Sequence, residues 1–221
     1  MIDALTSPTP RRGFLGRVAA AAMGVAVGGA LPAGLAAETV KASAADPQLE
    51  AWFAKLTGKH RSIFDAPRPN EGMPAIWPRV YLNTMQATYP GETTSAIVIL
   101  RHEALALALQ DSIWAKYKLG EVFDIKPGGT PATSNPYATI TNIPLPGLGV
   151  AELLKSGVLI GACDVALTVY SAGVAGKMGM DAAAVKKEWI AGLFPGIQVV
   201  PSGVMAVGRA QEHGCTYCFA G

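Results

Sequence analysis

Two runs in this chain leave no room for a polar face. Within Ser95–Arg101, residues Ala96 to Leu100 are apolar without a break, and Val158-Leu-Ile-Gly-Ala162 repeats the pattern. A strand that is apolar at every position is buried on both faces, which suits the interior of a parallel sheet. Helical patterns follow both runs, over Ala104–Lys118 and in the Ala/Leu/Val segment after Cys163. Further strands are expected at His60–Asp65, Ile197–Val200 and Cys215–Phe219, and a short one over Glu121–Ile125. Helices are expected around Leu49–Leu56, from Pro78 to Tyr89, over Val150–Ser156, from Ala182 to Leu193 behind an Asp181 cap, and from Gly203 to His213. Alternating strands and helices predict an α/β fold with a mostly parallel sheet covered on both sides.

The first 37 residues read as an address. Arg11-Arg12-Gly-Phe-Leu15 is followed by an uncharged, Gly/Ala-rich run from Val18 to Ala37. This is similar to a twin-arginine export signal, with cleavage after Ala37 or near Ala42-Ser43-Ala44. A membrane helix is the competing reading, weakened by Pro32 and the glycines. Residues 38–59 form a polar tail and a short helix, and 60–221 the folded domain. The full chain carries 18 basic and 16 acidic residues. Without Arg11, Arg12, Arg17 and Asp3 the two signs balance. A neutral mature chain has no electrostatic footprint for nucleic acid, and none is expected as a partner. Nor is a membrane expected once the signal is cleaved. The destination is then the periplasm, where an odd count of three cysteines leaves one thiol without an intramolecular mate.

Residues 126–147 are rich in Pro, Gly, Thr and Asn. A loop of that length in a compact domain is functional, an oligomer contact, or a poorly ordered insertion.

Cys163 stands where a buried strand hands over to a helix. Helix N–H groups and the helix dipole favour a thiolate there, whereas the plain alternative is a small buried hydrophobe. If strands 95–101 and 158–163 share one parallel sheet, His102 and Cys163 lie on the same carboxyl rim. His102 can then take the thiol proton, with Arg101 adding positive field; a histidine that merely starts a helix is the alternative. Ser202 caps the helix from Gly203, whose N-terminus can also hold an anion. Cys215-Thr-Tyr-Cys218 has the spacing of a redox pair. Three residues of extended strand nevertheless separate Cα atoms by about 10 Å, so a bridge needs a turn or another partner. With His213, the same cysteines offer donors for zinc or copper.

Several blocks together resemble the DsrE-like family of sulfur-relay proteins. They are Gly157-Val158, Ala162-Cys163, Pro195-Gly-Ile197, Val199-Val-Pro-Ser-Gly-Val204 and Ala210-Gln-Glu-His-Gly-Cys-Thr-Tyr217, with the strand Ala96–Leu100 leading to His102. The resemblance covers most of residues 60–219. It implies a flavodoxin-like three-layer sandwich of about five strands, assembly into trimers or hexamers, and a persulfide sulfur on Cys163. The export segment, the 126–147 insertion and the terminal Cys-x-x-Cys depart from the simplest relay members. The expected function is a periplasmic sulfur-handling or thiol-redox protein that works with a sulfur donor or acceptor protein, Cys215 and Cys218 serving as resolving or disulfide-forming partners. The alternatives are a non-catalytic oligomeric module that binds metal or a small ligand through the terminal Cys/His cluster, and a structural subunit stapled by its cysteines.

Overall fold

The computed structural model describes residues 46–221. The export segment expected at 1–37, and the tail up to residue 45, lie outside the described residues. Strands β1 (His60–Ala66), β2 (Thr94–Leu100), β3 (Leu159–Cys163), β4 (Gln198–Val200) and β5 (Thr216–Phe219) form one sheet in the order β4-β3-β2-β1-β5. Every pairing is parallel. The α/β fold expected from the alternating pattern is the fold observed. Among the described residues, no helix is long and apolar enough to cross a membrane.

Two-residue alternation along the strands sends side chains into two cores. Phe64, Val98, Leu100 and Ile160 meet one face, with Trp114, Leu167 and Trp189 from the helices above it. Ile63, Ile97, Ile99 and Val200 meet the other, with Trp52, Phe53, Ala206 and Ala210. Fully burying a large apolar side chain contributes about 1.5–3 kcal/mol, so these two layers dominate the stability. The second layer is thin. It consists of α1 (Pro47–Phe53), capped by Asp46, and α8 (Gly203–Glu212). Trp52 fits there because Gly161 lacks a side chain: a Cβ at 161 would lie 2.9 Å from Ile99 Cδ1 and 3.2 Å from the indole.

The first face carries α2 (Met73–Thr88), α3 (Asp111–Tyr117), the short α4 (Leu119–Val122), α5 (Val150–Lys155), α6 (Asp164–Met178) and α7 (Ala182–Ala191). Three local expectations are corrected here. Helix α2 starts at Met73, five residues before Pro78, with Pro74 in its first turn. Pro78 lies inside the helix, where its missing N–H would have met only the carbonyl of Pro74. The helix expected over 104–118 is broken into a 3-10 segment, His102–Ala108, and α3. Finally, Glu121–Ile125 is no strand: Lys118 turns the chain through a left-handed conformation (φ 51°), and the Ile125 N–H closes onto Gly120 O.

The break at 102–108 is explained by the insertion. Asn135, 6% exposed, donates from Nδ2 to Leu107 O (3.0 Å) and Leu109 O (2.8 Å) and accepts from Tyr137 N–H (2.9 Å). The Trp114 indole donates to Ala106 O at 3.1 Å. Side chains thus satisfy carbonyls that a regular helix would have used internally. The 126–147 segment is clamped onto the body of the domain, not loose upon it. Asn135→Ala is expected to destabilise the domain by about 2 kcal/mol, because buried carbonyls lose their donors. Urea unfolding measures this as a lower midpoint with unchanged slope. Asn135→Asp, which keeps the acceptor and removes the donors, is expected to cost at least as much.

Candidate functional site

In an open parallel sheet, ligands bind outside the carboxyl ends of adjacent strands whose connections leave to opposite faces. Strands β3 and β4 are such a pair. Helix α6 leaves β3 over the first face, and α8 leaves β4 under the second. Cys163 closes β3 and is the N-cap of α6. Its Sγ accepts the Ala166 N–H at 3.4 Å and the Gly203 N–H at 3.1 Å. Two helix N-termini therefore converge on one sulfur, and each stabilises negative charge there. The adjoining Asp164 carboxylate, which would oppose that charge, is paired with Lys186 Nζ at 2.8 Å. Cys163 is 6% exposed. The residues beside it and beside Gly203 are open to solvent and apolar: Val165, Val204 and Met205.

Arg101 directly follows β2, the strand next to β3. Its guanidinium makes a two-pronged bond to Asp65 of β1, Nε to Oδ1 at 2.7 Å and Nη2 to Oδ2 at 3.0 Å. Tyr217 of β5 donates its hydroxyl to Asp65 Oδ2 at 2.9 Å. Asp65 is buried, so its charge needs these partners. The Asp65 hydrogen bonds hold the Arg101 guanidinium further above its ordinary range, with smaller support from nearby groups including Cys163. Burial, and then the bond to Asp65, push the Tyr217 phenol up, keeping it a neutral donor. The row Tyr217, Asp65, Arg101, Cys163 crosses β5, β1, β2 and β3 in spatial order. Gly203, after β4, completes it: a Cβ at 203 would stand 2.5 Å from Arg101 Cβ, so only glycine lets the start of α8 reach the sulfur.

His102 faces elsewhere. Its backbone is left-handed (φ 51°), and its Nδ1 is hydrogen-bonded to the Tyr170 hydroxyl. The rings stack with centroids 5.7 Å apart. Tyr170 lies seven residues beyond Cys163, about 10 Å along α6, and the hydrogen bonds at Sγ come from Ala166 and Gly203. The partner expected to take the thiol proton is thus occupied by a tyrosine, and Arg101 is the charged neighbour on the thiol side. Ser202 stands at the N-cap of α8, but its side chain makes no capping bond. The anion-holding N–H of Gly203 is directed at Cys163 itself.

The terminal cysteines do not join this site. Cys218 is in register with Phe64, then Val98, then Ile160, so three strand spacings separate it from β3. That is about 14 Å, well beyond the roughly 7 Å a disulfide spans. Cys215 belongs to the second core, while Cys218 packs on the first. All three cysteines are free thiols. Burial pushes the Cys215 thiol up, opposed by Arg61, and burial also raises Cys218. His213 stacks on Phe53, with Nε2 3.7 Å from Glu50. The sheet separates Cys218 from His213 and Cys215, so the donor set proposed for zinc or copper does not converge. Among the described residues, no three His, Cys, Asp or Glu side chains are grouped to hold a metal.

Asp65, Tyr217 and Tyr170 were not among the residues expected from sequence. One signal for Asp65 was available: a carboxylate directly after the apolar pair Ile63-Phe64, near the carboxyl end of its strand and on the same rim as Arg101 and Cys163.

No family model matches the chain, and no curated protein matches it. Among solved structures, a protein of unknown function from Methanobacterium thermoautotrophicum is similar, with 18% sequence identity and a TM-score of 0.40 over 73% of this chain and 99% of that one.

Proposed function

We propose that the chain is an exported, DsrE-like sulfur carrier in which Cys163 is the sulfur-bearing thiol. The observation behind this reading is the convergence of the Ala166 and Gly203 N–H groups on Sγ, at the crevice between β3 and β4. Ionised Cys163 attacks the outer sulfur of a donor persulfide R–S–S⁻. The donor S–S bond breaks, a new S–S bond forms on Cys163, and R–S⁻ leaves with the electron pair. An acceptor thiolate then attacks the outer sulfur of Cys163–S–S⁻, takes it, and restores the Cys163 thiolate. Sulfur moves with no net oxidation in either step. Arg101 is the cation beside the anionic outer sulfur, and Asp65 with Tyr217 keeps its guanidinium in place.

The acceptor thiol comes from another molecule, because Cys215 and Cys218 stand apart from Cys163. Exposed Val165, Val204 and Met205 around the crevice supply apolar contact area for a donor or acceptor protein. Periplasmic location by the twin-arginine route and assembly into a trimer or hexamer belong to the same proposal.

The test is to load the reduced protein with inorganic polysulfide, alkylate it and map the peptides. The added sulfur is expected on the Cys163 peptide, with the peptide carrying Cys215 and Cys218 unmodified. Sulfur found on the terminal peptide in place of Cys163 overturns the assignment.

A further inference from the structure

A cleft of about 690 Å³ opens on the carboxyl rim at the other side of the sheet, between the ends of β1, β2 and β5 and the 126–147 insertion. Cys163 does not line it. The volume lies within the range of small-molecule sites, about 300–1,000 Å³. Its charged lining includes Arg68, Glu71 and Glu103, which make no ion pair among the described residues, whereas Lys126 is neutralised by Asp124 at 2.5 Å. Phe123, Tyr137 and Ile140 supply an apolar wall. Burial, and then Glu71, push the Tyr137 phenol up, so it stays a neutral donor beside that carboxylate.

The walls are fixed. Asn135 pins the insertion two residues from Tyr137. Gly72, at φ 90°, lets the Tyr137 ring close against the turn after β1, where a Cβ would come within 2.8 Å of it. Asn70 Nδ2 donates to Ala220 O at 3.3 Å, joining the ends of β1 and β5. The backbone is strained around the same opening. Asn70 (φ 40°), Glu71 (φ 53°) and Asp124 (φ 54°) line it, and His102 (φ 51°) directly precedes Glu103. Four of the five left-handed non-glycine residues described thus cluster here. Such conformations cost about 1–3 kcal/mol each and gather where a ligand is held.

We propose that this cleft binds a short peptide with free termini. Its ammonium group is held by Glu71 and Glu103, its carboxylate by Arg68, and an apolar side chain lies against Phe123 and Ile140. A ligand with both charges matches one unpaired cation beside two unpaired carboxylates, whereas a simple anion meets both glutamates. This site is independent of Cys163, and its failure leaves the sulfur-carrier reading untouched.

The probe is glycylphenylalanine, titrated calorimetrically into the full chain, beside its N-acetyl and C-amide derivatives. The free dipeptide is expected to bind saturably at one site, and blocking either end to weaken binding about tenfold, the loss of one charge-assisted contact. Glu103→Gln is expected to reduce the penalty of acetylation and the Glu71→Gln/Glu103→Gln pair to abolish it, whereas Arg68→Gln alone is expected to abolish the penalty of amidation. Arg68 is exposed and Glu103 partly so, and unchanged alkylation of Cys163 verifies that the variants are folded. No saturable binding of the free dipeptide, or equal binding of the blocked forms, overturns the proposal.

Discussion

Asp65→Ala is expected to lower the stability of the domain by roughly 3 kcal/mol, with a thermal midpoint about 6–12 °C lower. The carboxylate is buried, and it is the common acceptor for both prongs of Arg101 and for the Tyr217 hydroxyl. Removing it leaves a guanidinium against the end of the sheet with no counter-charge, which costs more than the pair contributes when intact. The expectation sits at the low end for a buried pair because Arg101 is 27% exposed and regains some hydration. Tyr217→Phe removes a single donor and is expected to cost only about 1 kcal/mol. Asp65→Asn keeps acceptor and shape, and should fall between them. Differential scanning calorimetry of the three variants gives this order if Asp65 is the hub of the row. Equal small losses would mean that the row is a surface feature of little consequence.

Gly203→Ala is expected to slow the reaction of Cys163 with iodoacetamide at neutral pH by about tenfold, the consequence of losing one hydrogen bond to a charged acceptor. The added methyl would stand 2.5 Å from Arg101 Cβ, so either the start of α8 or Arg101 must move. Movement of α8 withdraws the N–H that lies 3.1 Å from Sγ. Crowding adds a stability loss of about 1–3 kcal/mol. Rates are therefore compared at a temperature where both proteins are fully folded. Gly208→Ala, later in the same helix, places its methyl in open space and serves as the control. A Gly203→Ala rate equal to that of the control would mean that the α8 terminus does not tune the thiol.

Much of the architecture follows from patterns in the chain. The unbroken apolar runs at Ala96–Leu100 and around Val158–Ala162 mark two of the three interior strands, and the helical segment after each implies parallel pairing. The strand-to-helix corner also singled out Cys163, since the thiol at the end of a buried strand necessarily meets the next helix's N–H groups. Pairwise geometry across the sheet was not legible. His102 and Arg101 are adjacent in sequence, just beyond the end of β2, and the left-handed backbone at His102 (φ 51°) turns its ring toward Tyr170 while Arg101 stays on the thiol side; no local pattern encodes that turn. Asp65 and Tyr217 lie 152 positions apart along the chain. They meet only because β5 pairs with β1 and not with β4, a choice no local pattern encodes. The broken helix at 102–108 has a similar origin: the local propensity is helical, and Asn135, far along the chain, supplies the competing hydrogen bonds. The terminal cysteines invited a redox reading through spacing alone. Cys215 directly precedes β5 and Cys218 lies within it, the two on opposite faces of the sheet, which agrees with the distance objection already visible in the sequence.

The most direct measurement is the intact mass of the protein isolated without reductant, compared with Cys163→Ser prepared in the same way. The account predicts a fraction of the wild-type protein heavier by one sulfur, returned to the unmodified mass by reductant, and no such fraction in Cys163→Ser. Added sulfur that persists undiminished in Cys163→Ser would contradict it.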